Sequence, residues 1–258
     1  MAEIEKFASI VLPNQLFEKS PLLLKRNKIF LIEEFLFFNN YEFHKQKLIF
    51  HRLSMKKYEN YLKSIGFDVE YVDSISENSD IRILVEKISI KFNSIRIIDP
   101  VDYLIQKRLI RYCKKFDIKL DLLENPMFLN RKVDSDFFKP EKKKFFQTSF
   151  YKLQRKKTGI LIDDSGKPEG GDWTYDVMNR EKYPINKIPP KIKFFINENT
   201  LLSESLEFVI KNYSKNPGTL NDDFYFPTDF EESRKWFESF LEDRFKDFGP
   251  YEDSIVDN

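Results

Sequence analysis

Amides, carboxylates and imidazoles gather at a few places in the first half of the chain. Asn14 and Gln15 follow an apolar run, Phe7–Leu12. A second run, Lys28–Glu33, ends in a carboxylate and continues into Glu34 and Phe35. His44, Lys47 and His51 are spaced so that one helix sets all three on one face. Amides donate and accept hydrogen bonds, and carboxylates accept them from sugar-type hydroxyls. Flanked by Phe35, Phe37 and Phe38, such groups suit a flat aromatic ligand with a hydroxylated tail. The same residue types also cap loops and form structural salt bridges, so both readings stand on residue type alone. A metal site is disfavoured, because His44 and His51 are the two histidines of the chain and no third donor accompanies them.

Other chemistries are excluded by absence. No GxGxxG, Walker A loop, HExxH or GxSxG occurs. One cysteine, Cys113, permits neither an internal disulfide framework nor a Cys-based zinc or iron–sulfur site within one chain. On an apolar helix it reads as inert core. Lys142-Lys143-Lys144 and Arg155-Lys156-Lys157 are basic clusters with Phe145, Phe146, Phe150 and Tyr151 between them. Interleaving of this kind can track a phosphate backbone, although most charge runs are solvated faces. With Lys+Arg 43 against Asp+Glu 42, the chain is not a globally basic nucleic-acid binder.

Positioning these groups is the task of alternating elements. Phe7–Leu12, Lys28–Glu33, Phe67–Val72, Ile95–Ile98 and Ile118–Leu123 read as strands. Gln46–Ile65, Asp80–Phe92 and Val101–Phe116 carry helical periodicity between them. Alternation of this kind predicts an α/β, Rossmann-like parallel sheet of about five strands with flanking helices. In such a sheet ligands bind at the carboxyl ends of the strands, where Asn14, Gln15, Glu33, Glu34 and Asp99-Pro100 fall.

After Glu124 the alternation stops. Thr148–Lys157 reads as a helix with a basic end, and Asp163–Trp173 is rich in turn residues. Tyr183–Lys193, with three prolines, is a connector. Thr200–Tyr213 is helical. Thr228–Phe245 reads as one amphipathic helix with Thr228 and Glu231 as a capping box. The expected division is an α/β domain at 1–130, a linker at 131–195 and a short helical tail at 196–258. The 258 residues are 41% hydrophobic, enough for a real core. The longest apolar runs are far too short to span a bilayer, and the first residues lack a signal-peptide core, so a soluble cytoplasmic protein is expected.

Several blocks, in consistent order, resemble one family. Phe30–Leu62 is similar to the N-terminal domain of photolyase-related proteins, the prokaryotic cryptochrome/photolyase branch that includes iron–sulfur (6-4) photolyases. Asp99-Pro100 and the helix after it resemble the end of that family's fourth strand. Phe145–Lys157 with Thr158–Leu161, Lys167–Asp176 and Asn179-Arg180 resemble its FY–RRxxGLL–KPxGGxWxFDxxNR signature. Phe248–Asp253 resembles the start of its flavin domain.

The resemblance implies an antenna chromophore, of ribityllumazine type, held in the α/β domain with Asn14, Gln15, Glu33 and Glu34 as pocket residues, to which the reading of residue types adds Phe35, His44, Lys47 and His51. The chain departs from the family pattern at Phe37, where some members carry a carboxylate. It departs again at His51, where a small aliphatic residue is usual. The family's FAD and cluster cysteines lie in a C-terminal helical domain beyond the residues matched here. FAD and an iron–sulfur cluster are therefore not expected on this chain, which alone should not repair DNA. A separate chain carrying the FAD-binding helical domain is the implied partner, with DNA reached through that complex. The alternative is a non-catalytic binding module that has lost photochemistry. Trp236, Phe237, Phe240 and Leu241 would otherwise leave an apolar patch, so self-association is also expected. The resemblance sets Gly170–Arg180 at the domain junction, as a structural clamp or a partner contact.

Overall fold

The computed structural model describes residues 6–24, 27–131, 146–175, 178–192, 200–220 and 224–255. The expected basic cluster Lys142–Lys144 and Phe145 lie outside the described residues. The strands are β1 (Phe7–Val11), β2 (Lys28–Ile32), β3 (Asp68–Val72), β4 (Ser94–Ile98) and β5 (Lys119–Leu123). They form one parallel five-stranded sheet in the order β3-β2-β1-β4-β5, as the alternation predicts. The order reverses between β1 and β4, with Ala8 opposite Lys28 on one side and Ile95 on the other.

Central strands buried on both faces favour apolar residues, which is why β1, β2 and β4 read as apolar runs, broken only by Ser9 in β1, by the leading Lys28 of β2 and by Ser94 and Arg96 in β4. The edge strands β3 (DVEYV) and β5 (KLDLL) alternate instead. Side-chain alternation divides the sheet residues between two cores. Ala8, Ile10, Phe30, Ile32, Ile95 and Ile97 face α3 (Ile81–Ser89) and α4 (Tyr103–Lys115). Val11, Ile29, Leu31 and Ile98 face α2 (Lys45–Ser64) and α6 (Thr200–Asn212). A short helix α1 (Phe35–Phe38), too brief for periodicity to reveal, crosses the end of β2. Its Phe37 packs against both cores.

By contacts the chain divides into two compact units, residues 1–126 with 194–236, and 127–193 with 237–258. The first part of the expected helical tail thus belongs with the sheet. In the second unit, α5 (Gln147–Thr158) ends at Gly159, whose φ of 72° is the left-handed cap geometry glycine favours. Among the described residues no helix is long and apolar enough to cross a membrane.

The expected helix over Thr228–Phe245 is divided. α7 covers Phe230–Asp243, Arg244 leaves helical geometry, and α8 covers Phe245–Tyr251. The capping box is also shifted by one residue. Asp229, not Thr228, accepts from the backbone N–H of Glu232 at 2.9 Å. The Glu232 carboxylate reaches back to the Thr228 N–H at 2.7 Å. Lys57 selects this register by pairing with both Asp229 and Glu232, at 2.9 and 2.7 Å. Glu231 turns outward to Lys235. Asp229→Ala is therefore expected to cost about 1 kcal/mol in thermal or urea unfolding. Glu231→Ala should leave unfolding close to that of the parent, because its pair with Lys235 is exposed; equal losses would restore the register read from sequence.

Candidate functional site

β2 delivers two carboxylates to its carboxyl end, and alternation sends them to opposite faces. Both Glu33 and Glu34 are fully buried. On the α2 side, Glu33 Oε1 accepts from Arg52 Nη1 at 2.8 Å and from the Tyr71 hydroxyl at 2.6 Å. Its Oε2 accepts from the Ser74 N–H at 2.8 Å. Arg52, 4% exposed, also bonds Asp73 at 2.8 Å and Glu204 at 2.5 Å. Its guanidinium carbon lies 3.5 Å from the centre of the Phe208 ring. These acceptors raise the Arg52 pKa although burial works against them. Burial together with the Glu33 carboxylate pushes the Tyr71 hydroxyl well above its ordinary value.

Sequence reasoning weighed salt bridges from this helix to the two glutamates but did not single out Arg52, nor Tyr71, Asp73 and Glu204 as its companions. The signal was present: residues 48, 52, 55, 59 and 62 form the buried stripe of α2, and Arg52 and Glu59 sit among Leu48, Met55 and Leu62. An arginine on an apolar stripe requires a buried acid.

On the α3/α4 side, Glu34 caps α1 by accepting from the Leu36 N–H at 2.6 Å and also accepts from the Ile81 N–H. Arg108 Nη1 stands 3.8 Å from Glu34 Oε1 and has no hydrogen-bond partner among the described residues. Burial outweighs these favourable contacts and raises the Glu34 pKa to about 7. Near neutrality Glu34 therefore carries a proton part of the time and can donate as well as accept.

The point where strand order reverses holds the remaining groups. Gln15, fully buried, donates Nε2 to the Ile98 and Asp99 carbonyls at 2.9 and 3.3 Å. Its Oε1 has no partner among the described residues. Asn14 is exposed beside it. In the loop after β4, Val101 adopts φ 52°, a strained value for a β-branched residue. Asp99 Oδ1 accepts from the Val101 N–H at 2.9 Å.

Neither His44 nor Lys47 reaches the paired carboxylates. His44 caps α2 by accepting from the Gln46 N–H at 3.2 Å. The turn after α6 lies against it, since a Cβ on Gly218 (φ 95°) would come within 2.2 Å of His44 Nε2. Lys47 Nζ stands 3.5 Å over the Phe43 ring. His51 sits among Phe37, Phe38 and Phe50, with ring centroids 5.8, 5.9 and 6.0 Å away. Burial first and Lys47 second lower its pKa to about 4. Phe35 is half-buried at the start of α1.

In the second unit, Arg155 holds the turn-rich segment together. It donates to the carbonyls of Trp173 at 3.0 Å, of Asp172, and of Leu161. Asn179 Nδ2 donates to Glu252 at 3.3 Å, and Arg180 lies 3.7 Å from Asp253. A cavity of about 520 Å3 lies between these segments, lined by Tyr151, Thr174, Tyr175, Asn179 and Pro250 among others.

Two predictions follow the charges. Arg52→Met leaves Glu33 buried without its cation and should cost about 3–5 kcal/mol in chemical unfolding. Glu34 and His51 act oppositely with pH. The stabilisation from folded Glu34 is complete below pH 4.5 and is lost as pH rises to about 7. That from neutral His51 is complete above pH 6.5 and is lost as pH falls towards about 4. Parent stability should therefore change little between the two. Glu34→Gln should unmask stability that rises with pH, and His51→Asn stability that falls, each by on the order of 1 kcal/mol per pH unit. Parallel Tm–pH curves for all three proteins would contradict both assignments.

The sequence profile of the deoxyribodipyrimidine photo-lyase-related protein family matches residues 9–225. An uncharacterised protein of Acanthamoeba polyphaga mimivirus is 38% identical over 196 residues, covering 71% of this chain and 97% of the viral protein. A (6-4) photolyase of Agrobacterium fabrum is 22% identical over 219 residues, covering 83% of this chain and 42% of the photolyase. The chain thus spans less than half of the photolyase but nearly all of the viral relative. The matched span runs from β1 past α6 and includes the Arg52 cluster, Gln15, Glu34 and the Arg155 segment. The chain belongs to the deoxyribodipyrimidine photo-lyase-related protein family.

Proposed function

We propose that this chain is the antenna-binding component of a photolyase-type or cryptochrome-type system. In this reading the sheet unit holds a flat heteroaromatic chromophore with a hydroxylated tail, of ribityllumazine class. The flavin chemistry of light-dependent DNA repair or photoreception belongs to a helical domain outside the residues matched here, on a partner or elsewhere. One observation carries the reading: at the strand-order reversal, buried Gln15 presents an acceptor with no partner, in a family whose named relative is a photolyase.

The residues fit such a ligand unevenly. Gln15 Oε1 is open to a donor, and Glu34 can donate or accept near neutral pH. Asn14 is exposed at the rim, and Phe35, Phe37 and His51 supply ring faces. Glu33 already accepts from Arg52, Tyr71 and Ser74, so its role here is to fix the framework. His44 and Lys47 are engaged with the turn at Gly218 and with Phe43. A bound antenna chromophore supplies light absorption and excitation-energy transfer. The chain's own residues bind it, orient it and keep water from its ring.

The test is titration of the protein with ribityllumazine and, separately, flavin mononucleotide, followed by absorbance and fluorescence quenching. The parent should bind one of them, and Gln15→Ala/Glu34→Ala should weaken binding roughly tenfold or more, as expected for two lost hydrogen bonds. Equal affinity in both proteins would remove these residues from the site. No binding by the parent would favour a binding module without light chemistry.

A further inference from the structure

The glycine-rich segment Gly170–Arg180 takes no part in the chromophore reading, yet it forms one wall of the cavity in the second unit. The volume, about 520 Å3, is ordinary for a small-molecule site. α5 forms another wall through Gln147, Thr148 and Tyr151, whose spacings of three and four set them side by side on the helix. α8 and its C-cap, Glu252, complete it. Two bonds staple the end of the glycine-rich segment to α8. The Glu181 N–H donates to the Pro250 carbonyl at 3.1 Å, and the Ser254 hydroxyl to the Glu181 carbonyl at 2.7 Å.

Three kinds of group meet at these walls. Tyr151 and Tyr175, 42% and 46% exposed, supply ring faces. Tyr175 is fixed at its far end by Gly170, where a Cβ would come within 2.2 Å of the tyrosine hydroxyl oxygen. Glu252 is fixed by Asn179, whose Nδ2 donates to its Oε1 at 3.3 Å. A carboxylate has room for several donors, so Oε2 and part of Oε1 stay open to a ligand. Arg180, the cation nearby in sequence, pairs with Asp253 instead. Gln147 and Thr148 make no side-chain hydrogen bond among the described residues, and both donate as well as accept.

We propose that this cavity binds a guanine base, free as a nucleoside or carried on a single strand. Guanine presents N1–H and the N2 amine side by side, an edge that donates twice to one carboxylate. Adenine and cytosine set one amine beside an acceptor, and thymine sets one N–H between two acceptors. Glu252 takes the double-donor edge, Gln147 and Thr148 donate to the O6 and N7 acceptors, and the tyrosine rings stack on the base. Stacking tolerates any base, so discrimination falls to Glu252. No residue of the strand ends takes part, and the inference stands or falls apart from the chromophore reading.

The experiment titrates the full 258-residue chain with guanosine and with inosine, which lacks the N2 amine, followed by saturation-transfer NMR. The parent should prefer guanosine about tenfold, as expected for one hydrogen bond to a charged group. Glu252→Gln should weaken guanosine about tenfold and abolish the preference. Tyr151→Ala should weaken both nucleosides alike, about tenfold, and Tyr151→Phe should bind like the parent, because the ring face is kept. Circular dichroism should be unchanged, since both substituted side chains are exposed. A second arm uses an oligothymidine strand with one central guanine or hypoxanthine. The same preference, with tighter binding than the nucleoside, would make a single strand the source of the base; binding no tighter would make it the free nucleoside. No saturable binding in either arm, equal binding of guanosine and inosine, or a preference that survives Glu252→Gln would each overturn the proposal.

Discussion

A guanidinium inside a protein core is tolerable only when carboxylates and ring faces replace the water it has lost. Arg52 meets that condition by gathering Glu33 from the end of β2, Asp73 from the end of β3 and Glu204 from α6, with Phe208 over its plane. Each partner lies on a different segment, so one side chain sets where four parts of the chain meet. Tyr71 and the Ser74 N–H complete the Glu33 shell and lock the direction in which β2 leaves the sheet. The start of α1, and with it the placement of Glu34, Phe35 and Phe37, depends on that exit.

The two neighbouring glutamates show how one strand end yields two chemistries. Glu33 is held by a full cation and two further donors. Glu34 has backbone N–H groups and a cation too distant for a hydrogen bond. Adjacent residues on a strand face opposite ways, so their environments are set independently by α2 on one side and by α3 and α4 on the other. A carboxyl that burial makes protonatable and one gripped by a guanidinium can therefore coexist one residue apart.

Much of the fold was legible because hydrophobic period is a local property. Each central strand appeared as a short, mostly apolar run and each covering helix as a stripe. Less of the site was legible, because its geometry is set by partners distant in sequence. His44 is not on the helix face read for it but caps α2 from extended backbone, and the turn after α6 lies against it, while Lys47 stands over Phe43. Glu204 and Phe208 gave no sign in their own segment that they would close over Arg52. The Thr228 capping box illustrates the same limit at short range. Either register satisfies the motif, and Lys57, on another helix, decides between them.

The bond between Arg52 and Glu204 joins residues 152 positions apart, and the whole of 127–193 is made between the two portions of the sheet unit. On the ribosome, the first portion must therefore emerge and wait. Until α6 arrives, Arg52 lacks Glu204 and Phe208, and the part of α2 that α6 covers meets solvent or a chaperone. Contacts of such long separation slow folding and lengthen exposure to aggregation. The polar, charged character of Arg52 and Asp73 on that waiting face keeps part of it hydrated, so the cluster that organises the finished protein also guards the nascent one.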